Sequence, residues 1–223
     1  LLSYNGNVGA LAYSLGVERN VWSPPNLGQA RYSDRFRDEV YYAPDGRVIE
    51  TRPQYWNRDH DKWIYTAGAT YDFLRGDQVQ LNAFYQTLDI FEIDQTNFRR
   101  FDAAGAVTLT GLERHERATP VRTTLELGGE YEGPVAGGDL RALFIVRRDS
   151  SPSRDYRVQD LAAGTVELSR SLSRVDTGED ILRASFTFEP FAGQSVEFGA
   201  EGARNTLDQH LRVFFDRDGD DLV

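Results

Sequence analysis

The sequence has no cysteine, no methionine, a single lysine and no long apolar run. Without cysteine there is no disulfide framework, thiolate nucleophile or cysteine-based metal site within these residues. Lys62 stands alone among 25 basic residues, a skew we ascribe to codon composition. A net charge of −10 leaves no basic surface for phosphate, which excludes nucleic acid as a partner. No stretch approaches the roughly 18 apolar residues of a transmembrane helix. That leaves a membrane-spanning strand open, because such a strand is only half apolar. The chain opens Leu1-Leu2-Ser3 without initiator methionine, basic n-region or apolar h-region. It ends in a strand-like run and then Asp216-Arg217-Asp218-Gly219-Asp220-Asp221. We read residues 1–223 as an internal fragment.

Catalytic chemistry is also missing. His60, His115 and His210 lie far apart in polar contexts, with no G-x-S-x-G and no local nucleophile–base pairing. Glu113-Arg114-His115-Glu116 lacks the second histidine of a zinc motif. The run from Asp216 has Gly219 in fourth place, where an EF-hand loop needs glycine sixth and glutamate twelfth. We expect no enzyme, no cofactor and no metal site.

What is present is alternation. In Trp63–Gln86, residues Trp63, Tyr65, Ala67, Ala69, Tyr71 and Phe73 share one side. Thr66, Gly68, Thr70 and Asp72 take the other, with Ile64 as an exception. This period of two marks a strand between two different environments. Arg75-Gly76-Asp77 turns the chain, and Val79, Leu81, Ala83 and Tyr85 return against Gln78, Gln80, Asn82 and Gln86. Phe84 breaks the return pattern. Each strand reaches about ten residues, polar on one face and apolar with aromatics near the turn on the other, as a tilted transmembrane β-strand requires. A large soluble sandwich could also use such a pair. Repetition of the unit decides between them.

The unit repeats. Strands are predicted over about Val8–Val21, Arg31–Tyr42 and Arg47–Trp56, then from Val121, Leu140, Ile181 and Val196. Trp22–Ala30, Asn57–Asp61 and Asp94–Leu112 read as connections, and Asp149–Asp180 as a long segment of undetermined structure. Tight turns near residues 45, 76, 135 and 192 alternate with longer segments near 25, 100 and 165, the connection near 59 being a short exception. Short turns on one rim and long loops on the other describe an outer-membrane barrel. Every strand pair offers the same sidedness, which a closed barrel satisfies without a free edge.

Several stretches carry a resemblance. They are Tyr4–Gly16, Tyr32-Ser33-Asp34-Arg35-Phe36 before the Pro44-Asp45-Gly46 turn, and Gly199–Asp208. Their texture, over most of the chain, resembles the first barrel strands of a TonB-dependent outer-membrane receptor. The resemblance implies active import of a scarce ligand such as a ferric siderophore, haem, cobalamin or carbohydrate. The inner-membrane TonB complex would drive it through a plug that lies outside these residues.

We therefore expect an all-β fold, an antiparallel transmembrane β-barrel of which residues 1–223 supply a partial domain of about nine strands. Its partners would be the lipid bilayer of the bacterial outer membrane, the TonB complex and a small ligand such as an iron chelate. Arg122, Glu126, Glu130, Arg141 and Arg183 are predicted to face the lumen. Phe98-Arg99-Arg100-Phe101, read as part of a loop, is the candidate ligand site, since guanidinium groups pair with anions and loops carry function. Trp22, Tyr55 and Trp56 are candidate membrane-interface anchors. A passive porin-type barrel and a soluble β-rich binding module are the rival readings.

Overall fold

The computed structural model describes residues 1–22, 35–161 and 165–216. Four expectations fall wholly or partly outside them: the Pro24-Pro25-Asn26 loop, the start of the strand at Arg31, the Tyr32-Ser33-Asp34 run, and the acidic run beyond Asp216.

The described chain is all-β. Strands β1 (Leu2–Val8), β2 (Leu11–Trp22), β3 (Arg35–Tyr42), β4 (Val48–Asp72), β5 (Gln78–Phe101), β6 (Val107–Val135), β7 (Gly138–Leu161), β8 (Thr165–Phe191) and β9 (Gln194–Asp216) form one antiparallel sheet. The order is β1-β2-β4-β5-β6-β7-β8-β9, with β3 also paired to β4. The sheet is open, with β1 and β9 at its two edges.

The count of nine matches the expectation, but its composition differs. Leu2–Val8 is a separate strand paired in register with Leu11–Val17. The predicted strands on either side of residue 59 are one, and Asn57–Asp61 lies inside the 25-residue β4. β2 pairs His60–Tyr71 and β3 pairs Val48–Tyr55, so β2 and β3 lie end to end along the same side of β4.

Asp94–Leu112 is likewise not a loop. β5 runs on to Phe101, a tight turn held by Asp102 comes next, and β6 starts at Val107. Within Asp149–Asp180, β7 continues to Leu161 and β8 begins at Thr165. The turn near residue 45 therefore shares a rim with that near 104 and with the end of β7 at Leu161, opposite the turns near 10, 75, 136 and 192. Among the described residues the rims differ in how far the strands run past the alternating region.

Strands of 24 to 29 residues span roughly 80–95 Å at about 3.3 Å per residue. Each element touches only its neighbours in the sheet. The accessible surface is 15268 Å², against roughly 10,300 Å² for a compact protein of this length. No second layer covers either face among the described residues. Apart from glycines, only Ile93, Phe98 and Thr124 are buried among the described residues.

One irregularity changes which way the side chains of β6 point. Between Leu88 and Ile90, β5 advances two residues while β6 advances three, from Arg122 to Thr119. The same extra residue shows against β7, where Thr123–Ala118 faces Ser150–Arg154. The bulge contains Pro120, which has no ladder donor to lose, and Val121, whose φ of 47° is uncommon for a β-branched residue.

Candidate functional site

The pairing register sorts every side chain onto one of two faces. One face carries Leu2, Tyr4, Gly6 and Val8 of β1, then Leu11, Tyr13, Leu15 and Val17 of β2. Tyr65, Ala67, Ala69 and Tyr71 of β4 continue it into Val79, Leu81, Ala83 and Tyr85 of β5. Leu125, Leu127, Gly129 and Tyr131 come next, then Leu140, Ala142, Phe144 and Val146. Leu182, Ala184, Phe186 and Phe188 lead to Val196, Phe198, Ala200 and Gly202. No charge interrupts this band.

Aromatics gather at both its margins. At one, Trp63 stacks on Tyr65 at 6.1 Å and Tyr65 meets Tyr85 at a tilt, 6.0 Å away. At the turn-side margin Tyr71 meets Phe73 edge-on at 4.6 Å, and Phe186, Phe188 and Phe198 cluster at 5.5–6.3 Å. Small and aliphatic residues fill the middle. Arg19 stands just past the first margin, 5.0 Å over the Trp63 ring and paired with Asp61 at 2.7 Å.

The band also slants across the sheet. Tyr71, Val79, Tyr131, Ala142, Ala184 and Ala200 form one paired row. Moving away from the turns, the first charge on this face comes ten positions on in β4 (Asp61) and β5 (Asp89). It comes six on in β7 (Arg148) and four on in β8 (Asp180) and β9 (Arg204). In β6 the bulge interrupts the face. The margin thus drifts by six residues over the five steps from β4 to β9. About 1.2 residues per 4.8 Å step corresponds to a strand tilt of roughly 40° against the band.

The opposite face is polar. Arg122, Glu126, Glu130, Arg141 and Arg183 all lie on it by register. Glu130 accepts from Arg141, and Glu201 accepts from Arg183 Nε at 2.7 Å. Arg147 reaches Asp149 at 2.8 Å and Glu126 at 3.9 Å. The pattern-breaking Phe84 finds a place here. With Leu143 and Ile145 it lines a depression of about 420 Å³ floored by Gly68 and Gly128.

Past the band, polar residues stand on both faces of the long strands, with Phe91 and the buried Ile93 among them on the band's face and Ile90 and Phe98 on the other. Phe98-Arg99-Arg100-Phe101 sits on β5, so alternation puts Phe98 and Arg100 on one face and Arg99 on the other. The four residues do not converge. Phe98 is 6% exposed and packs on Gly111, where any side chain would enter its ring. Arg52 lies 6.0 Å and Arg100 5.8 Å from its centroid, and Arg52 also covers Tyr41 at 5.4 Å. Glu50 binds both guanidinium groups, Arg100 at 2.8 Å. Sequence reasoning misses Tyr41, Glu50 and Arg52 because they join Phe98 only through strand pairing. An alternating Glu-x-Arg on the neighbouring strand is the available signal.

Burial alone would raise the Glu50 carboxyl pKa, but the bonds from Arg100 and Arg52 outweigh it and hold the group below the usual range. A depressed carboxylate stabilises the fold above its unfolded pKa and loses that contribution as pH falls through its folded pKa. Glu50→Gln is therefore expected to destabilise the β3–β4–β5 end at neutral pH. It should also flatten the acid limb of a thermal-unfolding profile. Equal acid sensitivity in the variant would refute this assignment.

On this same face His115 pairs with Asp155, which Arg117 also contacts at 3.4 Å, and Arg157 pairs with Glu113. Trp22 stacks on His60 at 5.9 Å and meets Trp56 at 6.3 Å. Trp22 and Trp56 thus belong to the polar side, and Tyr55 lies eight residues beyond Trp63. None of the three borders the apolar band; Trp63, Tyr65 and Tyr85 do. Among the described residues no group of His, Asp and Glu is placed to hold a metal ion.

Fold and faces together define an all-β protein built on a single open antiparallel sheet, apolar on one side over part of its height and charged on the other. No family model, curated protein or solved structure matches the chain.

Proposed function

We propose that this chain forms part of the wall of a transmembrane β-barrel in a bacterial outer membrane. The barrel would serve as a receptor for energy-coupled, TonB-dependent uptake of a scarce ligand such as a ferric siderophore. The observation that carries the membrane reading is the uncharged face, continuous over the sheet and edged by two aromatic margins. Along β4 the band runs nine residues, from Trp63 to Tyr71, within the about 9–11 that a tilted membrane-spanning strand needs. The tilt of about 40° falls within the range that closing a barrel demands. In a soluble sandwich an apolar face meets another apolar face, and here none is present among the described residues.

Lipid on one side assigns water to the other, so the ion pairs of Glu130, Arg141, Arg183 and Glu201 would line an aqueous interior. The rim with the turns near 10, 75, 136 and 192 lies at the band, while β4 and β5 extend about 12–15 residues past it, roughly 40–50 Å along the strand. That extension offers a tall inner wall to an incoming ligand. Active import over passive passage rests on the family resemblance and on this wall. A passive pore is favoured by one feature, the hydrated charges opposite the band.

Uptake separates the two. With the inner-membrane proton gradient collapsed, accumulation of the ligand should cease if the barrel is a receptor. Undiminished entry would assign a passive pore.

A further inference from the structure

If the polar face lines the aqueous interior, its aromatic strip lies just above the level of the lipid. Trp22 is directly opposite His60 and 41% exposed, with its indole plane within 16° of the imidazole. Trp56 Nε1 donates to Glu92 at 3.2 Å, which fixes the second indole beside the first. Trp22 and His60 are near-parallel and Trp56 leans against Trp22 at 46°, and such an amphipathic aromatic surface takes the apolar face of a ring-shaped ligand at little conformational cost.

The surrounding charges narrow the class. Arg58 faces Glu92 across the β4–β5 pairing, Asp94 faces Trp56, and Lys62 is opposite Asn20. Arg117 opposite Glu92 and Glu18 beside Asn20 complete the set, and three cations against three anions leave the local charge balanced. Farther along the wall, Glu50, Glu113 and Asp155 are each taken up by arginine or histidine. Neither a polyanion nor a polycation finds a field of opposite sign here. A ligand with apolar ring faces and hydroxyl edges meets both requirements, because hydroxyls donate to carboxylates and accept from guanidinium, ammonium and amide groups.

We propose that Trp22, His60 and Trp56 form a stacking subsite for a neutral sugar ring, with Asn20, Arg58 and Glu92 as hydroxyl partners. The subsite rests on the barrel reading and narrows its ligand.

The test uses the membrane-embedded protein and tryptophan emission. Neutral oligosaccharides of two to four units (maltotetraose and cellotetraose among them) are titrated against 2,3-dihydroxybenzoate as a planar anion. A saturable change with an oligosaccharide, retained in Trp22→Tyr and weakened about tenfold in Trp22→Leu, is the expected result. A response to the anion alone, to no saccharide, or one indifferent to Trp22→Leu would overturn the subsite. Quenching of Trp63 by brominated lipid, compared with a Trp63→Phe variant, keeps the two failures apart. If Trp63 is quenched and no saccharide binds, the subsite falls and the barrel stands. If Trp63 is not quenched, the barrel reading fails and the subsite with it.

Discussion

Ala69→Arg is expected to destabilise the protein in its membrane by about 2–4 kcal/mol, and Gln80→Arg to leave stability within about 0.5 kcal/mol. The two positions are one strand apart and close in height. Ala69 is paired with Leu81 and Tyr13 inside the uncharged band, where a guanidinium would stand in hydrocarbon. Gln80 is paired with Thr70 and Glu130 on the polar face, where a guanidinium gains a carboxylate neighbour and keeps its water. Only a difference of solvent between the faces separates these outcomes, since both sites are strand interiors of similar propensity. Denaturant titration in lipid vesicles measures both. Equal tolerance at Ala69 and Gln80 would mean that no lipid meets the band.

Deletion of Val121 is the second change with a large expected effect. The bulge adds one residue to β6, so residues 107–118 have the opposite parity to residues 123–135. Without it, every side chain of the upper half of β6 turns to the other face unless the pairing breaks. Glu113, His115 and Arg117 would leave Arg157 and Asp155. Gly111 would no longer lie under Phe98. Exposed pairs contribute about 0.5 kcal/mol each and loss of packing on a buried aromatic about 2–3 kcal/mol. A total cost of about 4 kcal/mol is expected.

Val121→Gly keeps the count and removes the positive-φ strain, so it should stabilise by about 1 kcal/mol. The pair of variants separates the number of residues in β6 from their identity. A harmless deletion would show that the parity change has no structural role.

The sequence is readable where the two faces meet different environments. Tyr65–Tyr71 and Val79–Tyr85 alternate because one side is apolar and the other is amide, hydroxyl or glycine, and the register pairs them accordingly. Past Trp63 and Thr87 polar residues stand on both faces and the few apolar ones (Ile90, Phe91, Ile93, Phe98) fall on either side, so alternation loses its contrast. Asn57–Asp61 and all of Asp94–Leu112 but the tight turn at 102–106 consequently read like connections although they are ladder. At Pro120 the parity itself changes, which makes β6 legible only from Val121 onward. β1 escapes a pattern search because Asn5, Gly6 and Asn7 weaken a seven-residue strand. The rim assignment suffers from the same loss of contrast, since a strand half taken for a loop moves the turn near residue 45 to the wrong side.

For the site, the polar-face set Arg122, Glu126, Glu130, Arg141 and Arg183 is legible from period two alone. The Glu50–Arg52–Phe98–Arg100 cluster is not, because it depends on which strands become neighbours. Phe98-Arg99-Arg100-Phe101 resembles one site only while it is taken for a loop.

The most direct measurement is a single-cysteine scan over Gln78–Gln86 in the native membrane, on a background where these residues contain no cysteine of their own. Water-soluble maleimide should modify positions 78, 80, 82 and 86, while 79, 81, 83 and 85 stay unreactive until the membrane is dissolved. Uniform labelling of both sets, or protection of the even positions, would contradict a lipid-facing band and the barrel built on it.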